Sequence, residues 1–216
     1  MRIGILGTGS VGKAIGSRLV EVGHQVCMGS RTARNEAAAE WAATVGAPAR
    51  HGTFADAGAY GELLVNATMG LGSIDAIGAA SPADLDGKVL LDISNPLDFS
   101  AGFPPTLAIK DSDSLAETIQ RTFPGLRVVK ALNTMTADVM VHPAQLGGPH
   151  DVLMSGNDAD AKAAVATLLR GFGWPESDIV DLGDISTARG TEMYLPLWLR
   201  LMNALGTPAF NIKVVR

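Results

Sequence analysis

One hexapeptide limits what this chain can be. Gly7-Thr8-Gly9-Ser10-Val11-Gly12 follows directly on the apolar run Arg2-Ile3-Gly4-Ile5-Leu6 and opens an amphipathic segment from Val11 to Val22. A GxGxxG pattern alone is weak, because glycine turns are common; a strand before it and a helix after it make it a dinucleotide-binding fingerprint rather than a plain βα turn. Gly7 makes the tight turn, and Gly9 lets backbone approach a pyrophosphate. Gly12 lets helix and strand pack closely, while the amides around Ser10 and Val11 present donors at a helix N-terminus.

The rest of the chain alternates short apolar runs with amphipathic segments, the pattern of βαβ units. Strands are predicted near Arg2–Leu6, Gln25–Met28, Leu63–Ala67, Lys88–Asp92, Arg127–Ala131 and Asp151–Ser155, with a weaker one near Ala49–Gly52. Helices are predicted near Val11–Val22, Arg34–Val45, Ser114–Thr122, Asp160–Arg170 and Thr191–Leu205. The fold class expected is α/β: a Rossmann-type doubly wound, mainly parallel sheet with a small C-terminal helical domain. The length of 216 residues suits one full α/β domain and an appendage. Two irregular stretches, from Asp92 to Ser114 and from Asn133 to His150, leave the carboxyl ends of predicted strands, where open α/β sheets bind ligands.

Composition excludes several partners. With a net charge of −5, the chain would not be drawn to nucleic acid or an anionic membrane. Cys27 is the single cysteine, so no internal disulfide is possible, and the first residues begin a strand rather than a signal-peptide core. The apolar stretch Leu195–Phe210 is too short to span a bilayer and contains Arg200. A soluble, cytoplasmic protein is expected. Neither Cys27 nor His24, His51, His142 and His150 has metal-ligand spacing, so no metal is expected.

The second strand decides between nicotinamide cofactors. An NAD site carries a carboxylate there for the ribose 2′-hydroxyl. This chain reads Met28-Gly29-Ser30-Arg31-Thr32, with Arg34 beyond, so nothing repels a 2′-phosphate. Ser30 and Thr32 offer hydroxyls, and Arg31 a planar fork suited to phosphate oxygens. The alternative is a solvated basic turn; the reading favoured is NADP.

The Gly7–Gly12 turn, the run at 29–32, Ala131-Leu132-Asn133-Thr134, the segment Asp181–Glu192 and the final Asn211-Ile212-Lys213 together resemble the F420-dependent NADP oxidoreductases. The resemblance covers essentially the whole chain. It implies an NADP-binding domain, taken as residues 1–155, and a small C-terminal domain, 156–216, forming a cleft wall and dimer contact. It also implies hydride exchange between NADPH and coenzyme F420 in the cleft, with Thr8, Ser10 and Val11 cradling the pyrophosphate and Ser30 and Arg31 the 2′-phosphate. Three features depart from the family pattern and leave the acceptor open. Asn133 stands where a histidine is expected, Lys130 where a small residue is expected, and Asp92–Pro96 is more polar.

Hydride transfer requires stacking and exclusion of water rather than covalent help. Candidates to line that space are Asn66, Thr68 and Met69; Ser94, Asn95 and Pro96; and Asn133, Thr134 and Met135, each group at a predicted strand end. Each residue alone reads first as the cap of a strand or turn, and only their convergence at three successive strand ends favours the functional reading. Lys130 and Asn133 are the candidate catalytic pair if the acceptor is a small carbonyl or imine; Lys130 otherwise reads as a snorkelling side chain at a sheet edge. Arg189 and Glu192, three apart, read most simply as a helix-start ion pair. The last predicted helix is apolar nearly all round, which together with the resemblance predicts a homodimer. Three functions therefore stand: an NADPH–F420 oxidoreductase, an NADPH-dependent reductase of a small carbonyl or imine, and a non-catalytic NADP(H)-sensing module.

Overall fold

The computed structural model describes residues 1–215. In chain order the first half comprises β1 (Arg2–Leu6), α1 (Ser10–Glu21), β2 (Gln25–Ser30), α2 (Glu36–Val45), β3 (Ala49–Thr53), α3 (Phe54–Tyr60), β4 (Leu63–Asn66), α4 (Ser73–Gly78), α5 (Pro82–Leu85) and β5 (Val89–Asp92). A two-stranded ribbon, β6 (Leu97–Asp98) and β7 (Thr106–Leu107), follows. Then come α6 (Leu115–Thr122), β8 (Arg127–Ala131), α7 (Ala137–Val141), β9 (Val152–Gly156), α8 (Ala159–Phe172), β10 (Ile179–Asp181), α9 (Ala188–Met193) and α10 (Leu195–Leu205).

Eight strands form one sheet in the order β10-β9-β8-β5-β4-β1-β2-β3. From β3 to β8 all neighbours are parallel, in the strand order of a dinucleotide-binding fold. β9 joins β8 antiparallel, and β10 runs parallel to β9. Only the short α7 and one 3₁₀ turn lie between β8 and β9, so the chain re-enters the sheet from the end it left. The Rossmann-type, mainly parallel sheet and the helical C-terminal segment are both present.

Alternating side chains build a core on each face of the sheet. Ile3, Ile5, Val26 and Met28 pack with Ile15, Leu19, Trp41, Val165 and Phe172. Leu6, Cys27, Leu64 and Leu90 pack on the other face with Ala57, Ile77, Leu115 and Ile119. Burial pushes the Cys27 thiol up to about 11, which leaves it a small inert hydrophobe.

The helix predicted over Thr191–Leu205 is two helices, because Pro196 in the first turn of α10 removes an N–H that would continue α9. α10 buries Leu195 and Leu199 but leaves Leu197 and Leu205 exposed, while Trp198 stacks on Phe210 of the returning tail at 5.4 Å. The tail is fastened by Lys213, 2.7 Å from Asp151 and 3.0 Å from Asp178. No helix among the described residues is long and apolar enough to cross a membrane.

Candidate functional site

At the end of β1 the chain turns through Gly7, whose φ of 122° lies where side chains are strained and whose added Cβ would sit 2.4 Å from the Ala67 carbonyl. A Cβ on Gly12 would sit 2.2 Å from the Gly7 carbonyl, so these two glycines are demanded by the packing. Gly9 differs: it is the N-cap of α1, and a Cβ there would meet nothing within 4 Å. No side chain caps the helix and its first turn holds no acid, so beside exposed Gly9 and Ser10 the leading amides of α1 have no side-chain acceptor and form an anion-ready cradle, with Thr8 half-exposed next to them.

β2 runs on to Ser30 and thereby places Arg31, Thr32 and Arg34, all exposed, beyond its carboxyl end, two residues later than predicted. Among the described residues neither arginine has an ion-pair partner, and no carboxylate stands at the strand end. Ser30 is buried, and its hydroxyl donates to the Thr32 carbonyl at 2.6 Å. Its first task here is to shape the turn that presents Arg31.

The remaining candidates lie at the ends of β4, β5 and β8, which are neighbours in the sheet. Several of them are buried and bonded to protein groups. Asn66 is fully buried, and its amide donates to Ser73 Oγ at 2.9 Å, Asp92 Oδ1 at 2.8 Å and Ser94 Oγ at 3.1 Å; its oxygen accepts from the Thr68 hydroxyl at 2.8 Å. Asn66 is therefore a tie between loops, contrary to the expectation that it would contact the cofactor. Met135, expected to flank a ring, is 5% exposed and belongs to the core, whereas Met69 is 72% exposed.

Lys130 also departs from both of its expected roles. β8 lies inside the sheet, between β5 and β9, so no edge exists for its side chain to snorkel along. Its side chain is 0% exposed, with Nζ 2.8 Å from Asp92 Oδ2 and 2.8 Å from Glu192 Oε1, and it also donates to the Ser94 carbonyl. Burial alone would push the ammonium down; the carboxylates of Asp92 and Glu192 outweigh burial and hold its pKa above the ordinary lysine value. Three donors meet three protein acceptors, which leaves none for a substrate carbonyl. Glu192 in turn accepts the Leu115 and Ala116 N–H groups at 2.8 and 3.1 Å, at the start of α6. The Arg189–Glu192 pair expected from their spacing is absent: Arg189 holds Glu117 at 2.6 Å instead. Sequence reading missed Asp92 and Glu192 because they meet Lys130 only through the fold.

Asn95 and Asn133 are brought together. The Asn95 amide donates to the Asn133 carbonyl and the Asn133 amide to Asn95 Oδ1, both at 2.9 Å. Leu132, at φ 66°, turns the chain sharply to aim Asn133, an unusual conformation for a bulky residue and one that clusters at functional sites. Asn133 is 2% exposed, and its Oδ1 is a buried acceptor without a partner. Gly70 packs under this pair, since a Cβ there would lie 2.1 Å from the Asn95 carbonyl. Pro96, buried, accepts the Ala108 N–H at 2.8 Å and anchors the β6–β7 ribbon.

The comparisons agree with this geometry. Residues 2–96, from β1 to Pro96, match the family model "NADP oxidoreductase coenzyme F420-dependent". A metalloreductase, STEAP3 of Rattus norvegicus, is 27% identical over 202 residues; the match takes in 91% of this chain, which spans only 38% of that protein's length. The F420-dependent NADP reductase of Methanothermobacter marburgensis is 28% identical over 93% of this chain and 92% of its own. The crystal structure of a candidate F420-dependent NADP reductase from Arthrobacter sp. FB24 is 51% identical over all of both chains, with a TM-score of 0.94. A match of that identity across the full length, on a fold with a glycine cradle and a carboxylate-free β2 end, places this chain in the F420-dependent NADP oxidoreductase family.

Proposed function

We propose that this chain transfers a hydride between NADPH and a deazaflavin coenzyme of the F420 type. The observation that carries the reading is the open, uncapped α1 N-terminus over Gly9, set beside a β2 end that presents Arg31 and Arg34 and no carboxylate. The leading α1 amides and Thr8 suit a pyrophosphate, and Arg31, Thr32 and Arg34 suit a 2′-phosphate. Asn133 Oδ1, fixed by Asn95, is an acceptor suited to a carboxamide N–H. Bound NADPH supplies a proton with two electrons from its nicotinamide ring, and the deazaflavin takes these up with a further proton from solvent. The protein's part is to orient and to exclude water, which Met69 and Leu71, both exposed on the turn after β4, would serve by covering a flat ring.

A reductase of small carbonyls or imines would need a proton donor at the reacting atom. Lys130, the ammonium expected to serve, is walled in on every side. This favours an acceptor whose reduction asks for stacking and a proton from solvent rather than a proton from Lys130.

Arg31→Ala tests the reading, with bleaching of F420 absorbance followed under NADPH or NADH. The loss of a charge-assisted phosphate contact should lower kcat/KM for NADPH by about 10- to 100-fold and leave NADH use unchanged. Equal losses with both cofactors would remove Arg31 from the phosphate site, and no bleaching by the wild-type protein would overturn the proposal.

A further inference from the structure

The buried cluster of Asp92, Lys130 and Glu192 does not sum to zero charge. Every group facing Asp92 donates to it: Asn66 Nδ2 at 2.8 Å, the Ser94 hydroxyl at 2.6 Å and amide at 3.2 Å, and Lys130 at 2.8 Å. The same holds for Glu192, which receives two backbone N–H groups and Lys130. Donors alone surround both side chains, the setting of charge-assisted hydrogen bonds to carboxylates. Two carboxylates and one ammonium leave one net negative charge, fully shielded from water. The N-terminus of α6 beneath Glu192 offsets about half of a charge. The remainder lies at the carboxyl ends of β5 and β8, directly before the turns that carry Asn95 and Asn133.

We infer that this residual buried charge sets the redox balance of the bound nicotinamide by favouring its oxidised form. The inference rests on the reading above, which puts the nicotinamide ring at these strand ends. Release of a hydride, one proton with two electrons, to the deazaflavin turns a neutral ring into a cation. A fixed anion nearby stabilises the cation and leaves the neutral ring untouched, so the protein drives NADPH toward donation. In a low-dielectric interior, where screening by salt is weak, a single buried charge acts across several ångströms. Asp92 and Glu192 are thus positioning residues for charge and do not themselves touch the reacting atoms.

The quantity to measure is the ratio of dissociation constants, NADP⁺ over NADPH, by calorimetric titration of the purified protein. Glu192→Gln keeps the shape and removes one charge, and should raise that ratio about 3- to 10-fold. Glu192→Asp keeps the charge, and should leave the ratio within about twofold of wild type even if both affinities fall. A clamp that acted only by packing would weaken both forms alike. Should Glu192→Gln fail to fold, Asp92→Asn removes the same unit of charge and should move the ratio in the same direction. An unchanged ratio in Glu192→Gln, with NADPH still bound through Arg31, would overturn this inference alone, as would an equal shift in Glu192→Asp. A folded wild-type protein that bound neither form would overturn the NADP reading and this inference together.

Discussion

Gly9→Val should fold normally and lose its dinucleotide. The N-cap of α1 sits at φ −75° and ψ −175°, extended backbone that a β-branched residue adopts freely. A Cβ there meets no protein atom within 4 Å, so the cost to the fold should be about 1 kcal/mol or less. The same emptiness is what the pyrophosphate needs, and an isopropyl group placed over the α1 amides should weaken binding of both NADPH and NADH by at least about 100-fold. Gly7 and Gly12 offer no such separation, because side chains there would run into the carbonyls of Ala67 and Gly7 and disturb the fold itself. Calorimetry with a parallel thermal melt checks both halves of the expectation. Wild-type affinity in a folded Gly9→Val protein would show that the phosphates lie elsewhere.

Lys130→Met should act on stability far more than on chemistry. The substitution leaves Asp92 and Glu192 without their shared cation and the Ser94 carbonyl without a donor, all buried. Breaking a buried pair by removing one partner costs about 3–5 kcal/mol. In a chain of this size that should lower the melting temperature by roughly 6–20 °C. Turnover below the melting temperature should fall modestly, as orientation at Asn95 and Asn133 loosens. If instead the variant melted like wild type and lost roughly 10²–10⁴-fold in rate, Lys130 would be an acid at the reacting atom after all.

The determinants proposed for the nucleotide end are legible because each lies in a short run of sequence. The Gly7–Gly12 pattern lies within six residues although Gly7 packs on distant Ala67, and the missing carboxylate after β2 can be read without knowing the fold. The reaction end depends on tertiary pairing. Lys130 looked free because Asp92 lies in another strand and Glu192 in α9; Glu192 looked paired to Arg189 because helical spacing put them three apart, yet the fold pairs Arg189 with Glu117 and Glu192 with Lys130. The direction of β9 was likewise set by the short return through α7 rather than by any pattern within the strand. Helix α3 did leave a trace: Thr53 and Asp56 form a reciprocal capping box before Phe54–Tyr60, a signal the run of alanine and glycine obscured. Leu132 at positive φ, which aims Asn133, left none.

Isotope transfer distinguishes direct hydride passage from nicotinamide to deazaflavin from every indirect route. NADPH stereospecifically deuterated at nicotinamide C4, in one face-labelled form and then the other, would be oxidised by the protein in ordinary water with F420 as acceptor. Mass spectrometry of the reduced deazaflavin should find deuterium from one of the two labelled forms and not from the other, because the ring is held by one face. Reduced deazaflavin free of deuterium from both forms, or efficient reduction of a small imine or carbonyl with none of F420, would contradict the account.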